Sequence, residues 1–390
     1  MMKTNYRYDI HRNGMSLVEL MVALAIGSFL MLGLVSTFRN SSEAQRELEK
    51  SNQLIENGRY ALDLIFQDLR LAGYYGFYYG ASTAPSALPD PCATSAASLE
   101  AALNVPVQGY AAANISTIAD ISHTNTCETA LLTNANLKPG SDILVIRRLD
   151  TAVLQGAAPV ANEVYLQANV NTFAIQVGNS SAGTIDANVV SSKTADNQNQ
   201  SLYKYPPAPT PASQGDVPED VGYDDWADIR KFHVHVYFVA PCRYGSGTNG
   251  VCQNGDDDVP TLKRLELGPG PAMSIMPIVD GIEFLKFRYG IDDTPSAVNL
   301  ATGAPGDGIT DGYVTTPTLA QTPNITTVSA TLLARTLDES RGYEDAKVYD
   351  IAGMAYDPDP TDSVADDAYK RHVYTTVIHL MNVAGRREIP

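Results

Sequence analysis

Glu19 is the only charged residue between Met15 and Phe38, and a carboxylate in so apolar a run is costly unless a cationic partner meets it. Gly14 and Met15 stand just before it. They end a polar, net-positive start that carries Lys3, Arg7 and Arg12 against Asp9. Cys92, Cys127, Cys242 and Cys252 form no C-x-x-C pair and have no histidines at zinc spacing, which points to disulfides rather than a metal cluster. Of the three connectivities that four cysteines allow, the simplest joins Cys92 to Cys127 and Cys242 to Cys252. His233 and His235 fall on one face of a strand, Phe232-His233-Val234-His235-Val236, where two imidazoles can chelate a metal. An adjacent third ligand is lacking, so the pair reads as a polar strand face. Asp307 and Asp311, in Pro305-Gly306-Asp307-Gly308-Ile309-Thr310-Asp311-Gly312, offer oxygen ligands for calcium without the spacing of an EF-hand loop; a solvated loop is the simpler reading. Asp256-Asp257-Asp258 and Asp357 with Asp359 read as solvated loops too. No nucleophile elbow, phosphate loop or H-E-x-x-H helix occurs, so no catalytic set, cofactor or resident metal is expected.

The elements that must position these residues follow from periodicity. Met15 to Phe38 is long enough to cross a bilayer, which takes ~20 apolar residues, with the basic leader on the cytoplasmic side. It is too long for the core of a secretory signal peptide, and no small-residue cleavage motif follows it. A plain membrane anchor leaves Glu19 without a reason. From Arg39 no proline occurs before Pro85, and Leu48, Ile55, Leu62, Ile65, Leu69 and Ala72 form one apolar stripe on a helical period. One helix from Ser16 to Ala72 is predicted, on the order of 85 Å long, with Gly73 as its stop.

Beyond residue 142, runs with β-branched residues and period-two alternation predict antiparallel strands. These are Asp142 to Arg148, Glu163 to Leu166, Thr172 to Val177, Lys231 to Val239, Leu262 to Leu267, Ile282 to Tyr289, Thr326 to Leu333 and His372 to Asn382. The fold class is α+β: a long N-terminal helix packed on a large antiparallel β-rich C-terminal domain with loop insertions. The expected organisation is a leader over 1–14, a helix over 15–72 with its apolar part at 15–38, and the β-rich domain over 73–390. Residues 74–141, 178–230, 292–325 and 338–369 read as loop-rich insertions, and Tyr74-Tyr75-Gly76-Phe77-Tyr78-Tyr79 as packing between helix end and sheet.

With 44% hydrophobic and 18% charged residues, the chain has a folded protein's composition. A net charge of −17 argues against a nucleic-acid partner. The basic pairs Arg147-Arg148 and Arg386-Arg387 read as strand ends.

Gly14 followed by Met15-Ser16-Leu17-Val18-Glu19-Leu20-Met21-Val22-Ala23-Leu24-Ala25-Ile26-Gly27 resembles the processing signal of type IV pilins and type II secretion pseudopilins. The resemblance implies that a membrane prepilin peptidase cuts after Gly14 and methylates the new amine of Met15, a position where the family commonly has Phe. Glu19 becomes the fifth mature residue. Its carboxylate would pair with the N-terminal amine of a neighbouring subunit, satisfying two charges in an apolar filament core and setting register.

Later segments are similar to the PilW minor pilins and the J-type pseudopilins. They are Asn57-Gly58-Arg59-Tyr60-Ala61-Leu62 with Gln67-Asp68-Leu69-Arg70-Leu71-Ala72-Gly73-Tyr74, then Ser141-Asp142-Ile143-Leu144-Val145-Ile146-Arg147, then Val279-Asp280-Gly281-Ile282-Glu283 through Arg288-Tyr289-Gly290-Ile291-Asp292. Leu332-Leu333-Ala334-Arg335 and Tyr374-Thr375-Thr376-Val377 with Asn382 complete the set. The resemblance implies a non-catalytic minor pilin that primes a type IV pilus, sits at or near its tip and supports twitching motility and adhesion. Its partners would be other minor pilins, pilus tip proteins and the prepilin peptidase. It would cross the inner membrane once, N-terminus in the cytoplasm, before entering an extracellular pilus. A minor pseudopilin of type II secretion and a membrane-tethered periplasmic enzyme or binding protein are the alternatives.

Overall fold

Helix α1, Leu17–Arg70, is unbroken, as expected of a stretch with no proline and many strong helix formers. The computed structural model describes residues 14, 16–78, 86–121, 130–154, 160–169, 173–178, 227–270, 272–293, 307–358 and 368–385. The chain divides into two compact units, Met1–Asn52 and Gln53–Pro390, and α1 contributes residues to both.

In the second unit, α1 is followed by α2 (Ala96–Ala102), β1 (Val107–Tyr110), β2 (Ile143–Leu149), β3 (Val164–Ala168), β4 (Phe173–Val177) and β5 (Ile229–Ala240). Then come β6 (Thr261–Gly268), β7 (Ala272–Asp280), β8 (Ile282–Ile291), β9 (Gly312–Val314), β10 (Ile325–Arg335), β11 (Tyr349–Ile351), β12 (Met354–Tyr356), β13 (Arg371–His379) and α3 (Met381–Ala384). Every pairing among these strands is antiparallel. One sheet runs β1-β2-β5-β3-β4 with β6 and then β7 joined to β5; a second runs β13-β10-β8-β9; β11 and β12 form a small hairpin. This is the expected α+β class.

The alternation of side chains sorts β2 and β5 between two cores. Ile143, Val145, Phe232, Val234, Val236 and Phe238 enter a core with Leu99, Leu103 and Leu132. Leu144, Ile146, Tyr237 and Val239 enter another, where Leu54, Ala61, Ile65 and Leu69 of α1 meet Leu285, Phe287, Val328, Ala330 and Leu332 of the second sheet. A strand buried on both faces reads as a continuous apolar run, which is how Ile143 to Ile146 of β2 read before Arg147 and Arg148.

Several expectations need correction; the stretches 292–325 and 338–369, read as loop-rich, hold β9 and the β11–β12 hairpin. Residues 74–141 are not merely a loop insertion, since α2 and β1 lie there and supply Leu99, Leu103 and Tyr110 to a core. Strand β7 escapes the alternation argument because Pro277 counts against a strand; among the described strands it pairs only with β6, and a sheet edge tolerates a residue without an N–H. The predicted strand His372 to Asn382 ends at His379, and Asn382 lies in α3.

The chain passes from one sheet to the other at Gly281, between β7 and β8. Its φ is 77°, and a Cβ there would lie 2.6 Å from the Arg335 carbonyl oxygen. The close approach is enforced: Gly281 N–H donates to Pro260 O at 2.8 Å and Arg335 N–H to Gly281 O at 2.7 Å. Gly281→Ala is expected to lower stability by about 1–3 kcal/mol, the usual cost of a strained left-handed residue. Urea titration measures it, and an unchanged midpoint would remove this account of the corner.

Candidate functional site

In the first unit the apolar part of α1 is exposed among the described residues. Leu17, Leu24, Phe29, Leu32 and Phe38 are exposed, Phe29 at 81%. Glu19 lies in the first turn of this stretch. Two of its hydroxyls bond within the helix: Ser28 donates to Ala25 O at 2.9 Å and Thr37 to Gly33 O at 3.0 Å, which suits a helix in an apolar environment. A helix apolar on all sides needs such an environment.

In the second unit, α1 from Gln53 onward is amphipathic, and polar ties fix where it lies on the sheets. Near its C-terminal end Asp68 is buried in the apolar stripe beside Ile65 and Leu69. Its carboxylate accepts from Arg148 Nε on β2 at 2.7 Å and from Tyr237 OH on β5 at 2.5 Å, and meets His235 Nδ1 at 2.5 Å. His233, His235 and Tyr237 alternate onto the β5 face that α1 covers, the face that the two histidines were expected to share. Burial alone would raise the Asp68 pKa, but the hydrogen bond and charge of His235, with Arg148 and Tyr237, outweigh it and hold the carboxyl well below the usual range. His233 is pushed down to about 4, first by burial and then by the charges of His235, Arg148 and Lys231, against the pull of Asp150.

The other ties use the segments singled out in the sequence. Asn57 donates to the Asp280 carbonyl at 3.0 Å, one residue before the Gly281 corner. A Cβ on Gly58 would collide with the ring of Tyr374 on β13, so glycine lets that ring lie on the helix backbone. Asn382 Nδ2 donates to the carbonyls of Arg70 and Ala72 at 3.4 and 3.2 Å, partnering oxygens that a helix end leaves open. Gly73, with φ 71°, turns the chain so that its N–H reaches Arg147 O. Tyr75 then stacks on Phe232, and Tyr78 meets Phe173; Tyr79 lies outside the described residues.

A family model described as type IV pilus-assembly protein W matches residues 236–382, and one described as the prokaryotic N-terminal methylation motif matches residues 10–35. The chain thus carries a PilW-like region together with the N-terminal methylation motif of type IV pilins. It also resembles a type IV-like pilin from Thermus thermophilus at 16% identity and a TM-score of 0.20, covering 39% of this chain and 79% of that one. Comparison with curated proteins finds no match.

The remaining site residues of this PilW-like chain separate clearly. Gly14 is exposed, and Met15 lies outside the described residues. Cys242 and Cys252 are joined, with Cα atoms 5.8 Å apart. Cys92 is also disulfide-bonded, while Cys127 lies outside the described residues. Asp307 accepts from the N–H of Ile309 in a local turn, whereas Asp311 accepts from the N–H of Asp293 across the segments that flank β8 and β9. Among the described residues no group of three or more His, Cys, Asp or Glu side chains is placed to hold a metal ion. Arg147 and Arg148 are not strand ends: both lie within β2, Arg147 buried with its guanidinium donating to Val105 O and Gln108 Oε1, and Arg148 on Asp68.

Sequence reasoning did not bring Asp68 together with Arg148, His235 and Tyr237, nor Asn382 with the end of α1. The available signal was a carboxylate inside an apolar helical stripe, facing a strand whose alternate residues are His233, His235 and Tyr237.

Asp68→Asn removes the carboxylate that this cluster surrounds and leaves Arg148 and His235 facing a neutral amide. A loss of about 3–5 kcal/mol is expected, typical of removing one partner from a buried pair. The pH dependence has a definite sign. A depressed carboxylate stabilises above its unfolded pKa of ~3.9 and loses that contribution as pH falls further. A depressed histidine makes the unfolded state bind more protons, so His233 costs stability as pH falls from ~6.5 to about 4. Thermal melts from pH 7 to 4 should show that decline in the parent and a flatter limb in His233→Asn. Parallel limbs would contradict the assignment.

Proposed function

We propose that this chain is a minor pilin that helps prime a type IV pilus and sits at or near its tip, supporting twitching motility and adhesion. The observation that carries the reading is a helix apolar on every side with one carboxylate, Glu19, five residues beyond Gly14. The methylation-motif match over the same residues supports cleavage after Gly14 with methylation of Met15. The PilW match over the β-rich part supports a pilus rather than a secretion pseudopilin.

In this reading the helix crosses the inner membrane once, with the leader in the cytoplasm. Prepilin peptidase removes the leader, and the helix then leaves lipid for a bundle of like helices. Both environments are apolar, so transfer costs little for Leu, Val, Phe and Met side chains. The exception is the charge. Glu19 meets the methylated amine of an adjacent subunit, and because an unpaired charge in the bundle is costly, the pair selects one axial register. The β-rich unit offers its surface to other minor pilins and tip proteins. The chemistry is association, with no catalytic step.

Two measurements test this. Mass spectrometry of the mature chain is expected to find N-methylated Met15 as the first residue; an intact leader or another start would reject the processing. A strain lacking the gene is expected to lose surface pili, with rescue by the parent chain and not by Glu19→Ala. Normal piliation in the deletion strain and in the Glu19→Ala strain would reject the assembly role.

A further inference from the structure

Lys263 on β6 has only 1% of its surface exposed, and nothing in assembly uses its charge. Its Nζ lies 3.4 Å from Cys252 Sγ, 3.6 Å from Cys242 Sγ and 3.3 Å from the Gly250 carbonyl oxygen. Both cysteines are buried, and together they close the loop Arg243 to Val251. A disulfide sulfur is a weak acceptor, so an ammonium gains little from it. A thiolate at the same distance is a full anion. Lys263 therefore favours the state in which one of these sulfurs carries charge.

The loop has a second set of ties that do not need the disulfide. Asp257 accepts from the N–H groups of Arg243 and Tyr244 at 2.8 and 3.2 Å, and Asp256 from those of Ser246 and Gln253 at 3.0 and 2.7 Å. With the bond open, these contacts keep both sulfurs near Lys263 and make reclosure a local event. Tyr244 is exposed on this loop.

We propose that Cys242–Cys252 is a thiol–disulfide exchange site, with Lys263 holding the departing sulfur as a thiolate and a dithiol as reductant. When the loop lifts, one thiolate of the dithiol attacks Sγ of one cysteine. The S–S electron pair leaves on the other sulfur, which pairs with the Lys263 ammonium. The second dithiol sulfur displaces the first cysteine, which takes a proton. The chain ends as one thiolate and one thiol, and the dithiol as a cyclic disulfide with one proton released. Reoxidation by a disulfide of the same class is the reverse.

Burial pushes the Lys263 pKa down, and the charges of Asp257 and Asp256 pull it back up. Those carboxylates help keep the ammonium available to the thiolate.

The full chain in detergent micelles, equilibrated with reduced and oxidised dithiothreitol, acid-quenched, alkylated and peptide-mapped, reads the open fraction directly. Lys263→Met is expected to require about tenfold more reducing conditions, equivalent to about 30 mV, whereas Lys263→Arg stays close to the parent. The bond to Cys92 serves as the reference in the same chain and is expected not to shift. Coincident titrations of parent and Lys263→Met would overturn the proposal, as would an equal shift at Cys92. A second measurement needs no variant: alkylation of the reduced parent against pH should show one of the two thiols ionising at least about one unit below the usual ~8.5. Two thiols ionising at or above that value would also overturn it.

Discussion

A carboxylate buried in an apolar stripe has to be met by donors, and that requirement decides where α1 lies on the β-rich unit. Apolar burial of Leu54, Ala61, Ile65 and Leu69 holds the helix down, but it is non-directional, and a helix on a flat apolar surface can slide by a turn at little cost. Asp68 removes that freedom, because only one placement brings Arg148, His235 and Tyr237 around it. Asn57 on the Asp280 carbonyl fixes the same helix several turns away, and Asn382 closes its end. Packing supplies most of the attraction and polar ties the register. The division is that proposed between subunits, where apolar helices supply contact and Glu19 with an amine supplies position.

The two parts of α1 illustrate how one element meets two demands. From Gln53 onward it is amphipathic and its apolar stripe is covered by its own unit. Toward the N-terminus it is apolar on all sides, with large side chains such as Phe29 and Leu32 exposed among the described residues. A surface of that kind has no stable place in water, and an apolar environment such as lipid or other apolar helices suits it. The change from all-round to one-sided apolarity falls where the helix begins to pack on its own sheets.

The segments that carry the PilW likeness have physical reasons to be as they are. Gly58 admits the Tyr374 ring, Gly281 makes the corner between sheets, and Asn57 ties the helix to that corner. Asp142 accepts from Phe287 N–H and from Lys286, joining β2 to β8. Glu283 and Asp345 meet the buried guanidinium of Arg371, which joins β8 and β13 to the segment leading into β11. These positions lie far apart in the chain and converge on helix, corner and sheet seams, the places where substitution moves one element against another.

The amino-acid sequence by itself determined the helix, most strands and the N-terminal methylation motif, and offered Cys242 with Cys252 as the simplest pairing. These are local properties: apolar periods of 3.6 or 2, a run without proline, a carboxylate at a fixed distance from a glycine, and cysteines ten residues apart. Strand β7, with its proline, and the small elements between Tyr74 and Ser141 escaped, because edge position and coverage by other segments outweighed their local signals. Only the tertiary structure decided that Asp68 meets a strand more than 160 residues away, that Asn382 leaves its predicted strand to cap α1, and that Lys263 lies against the disulfide. The reason is common to all of them. A buried polar side chain takes its meaning from its partner, and the partner is brought to it by packing that no short stretch of sequence contains.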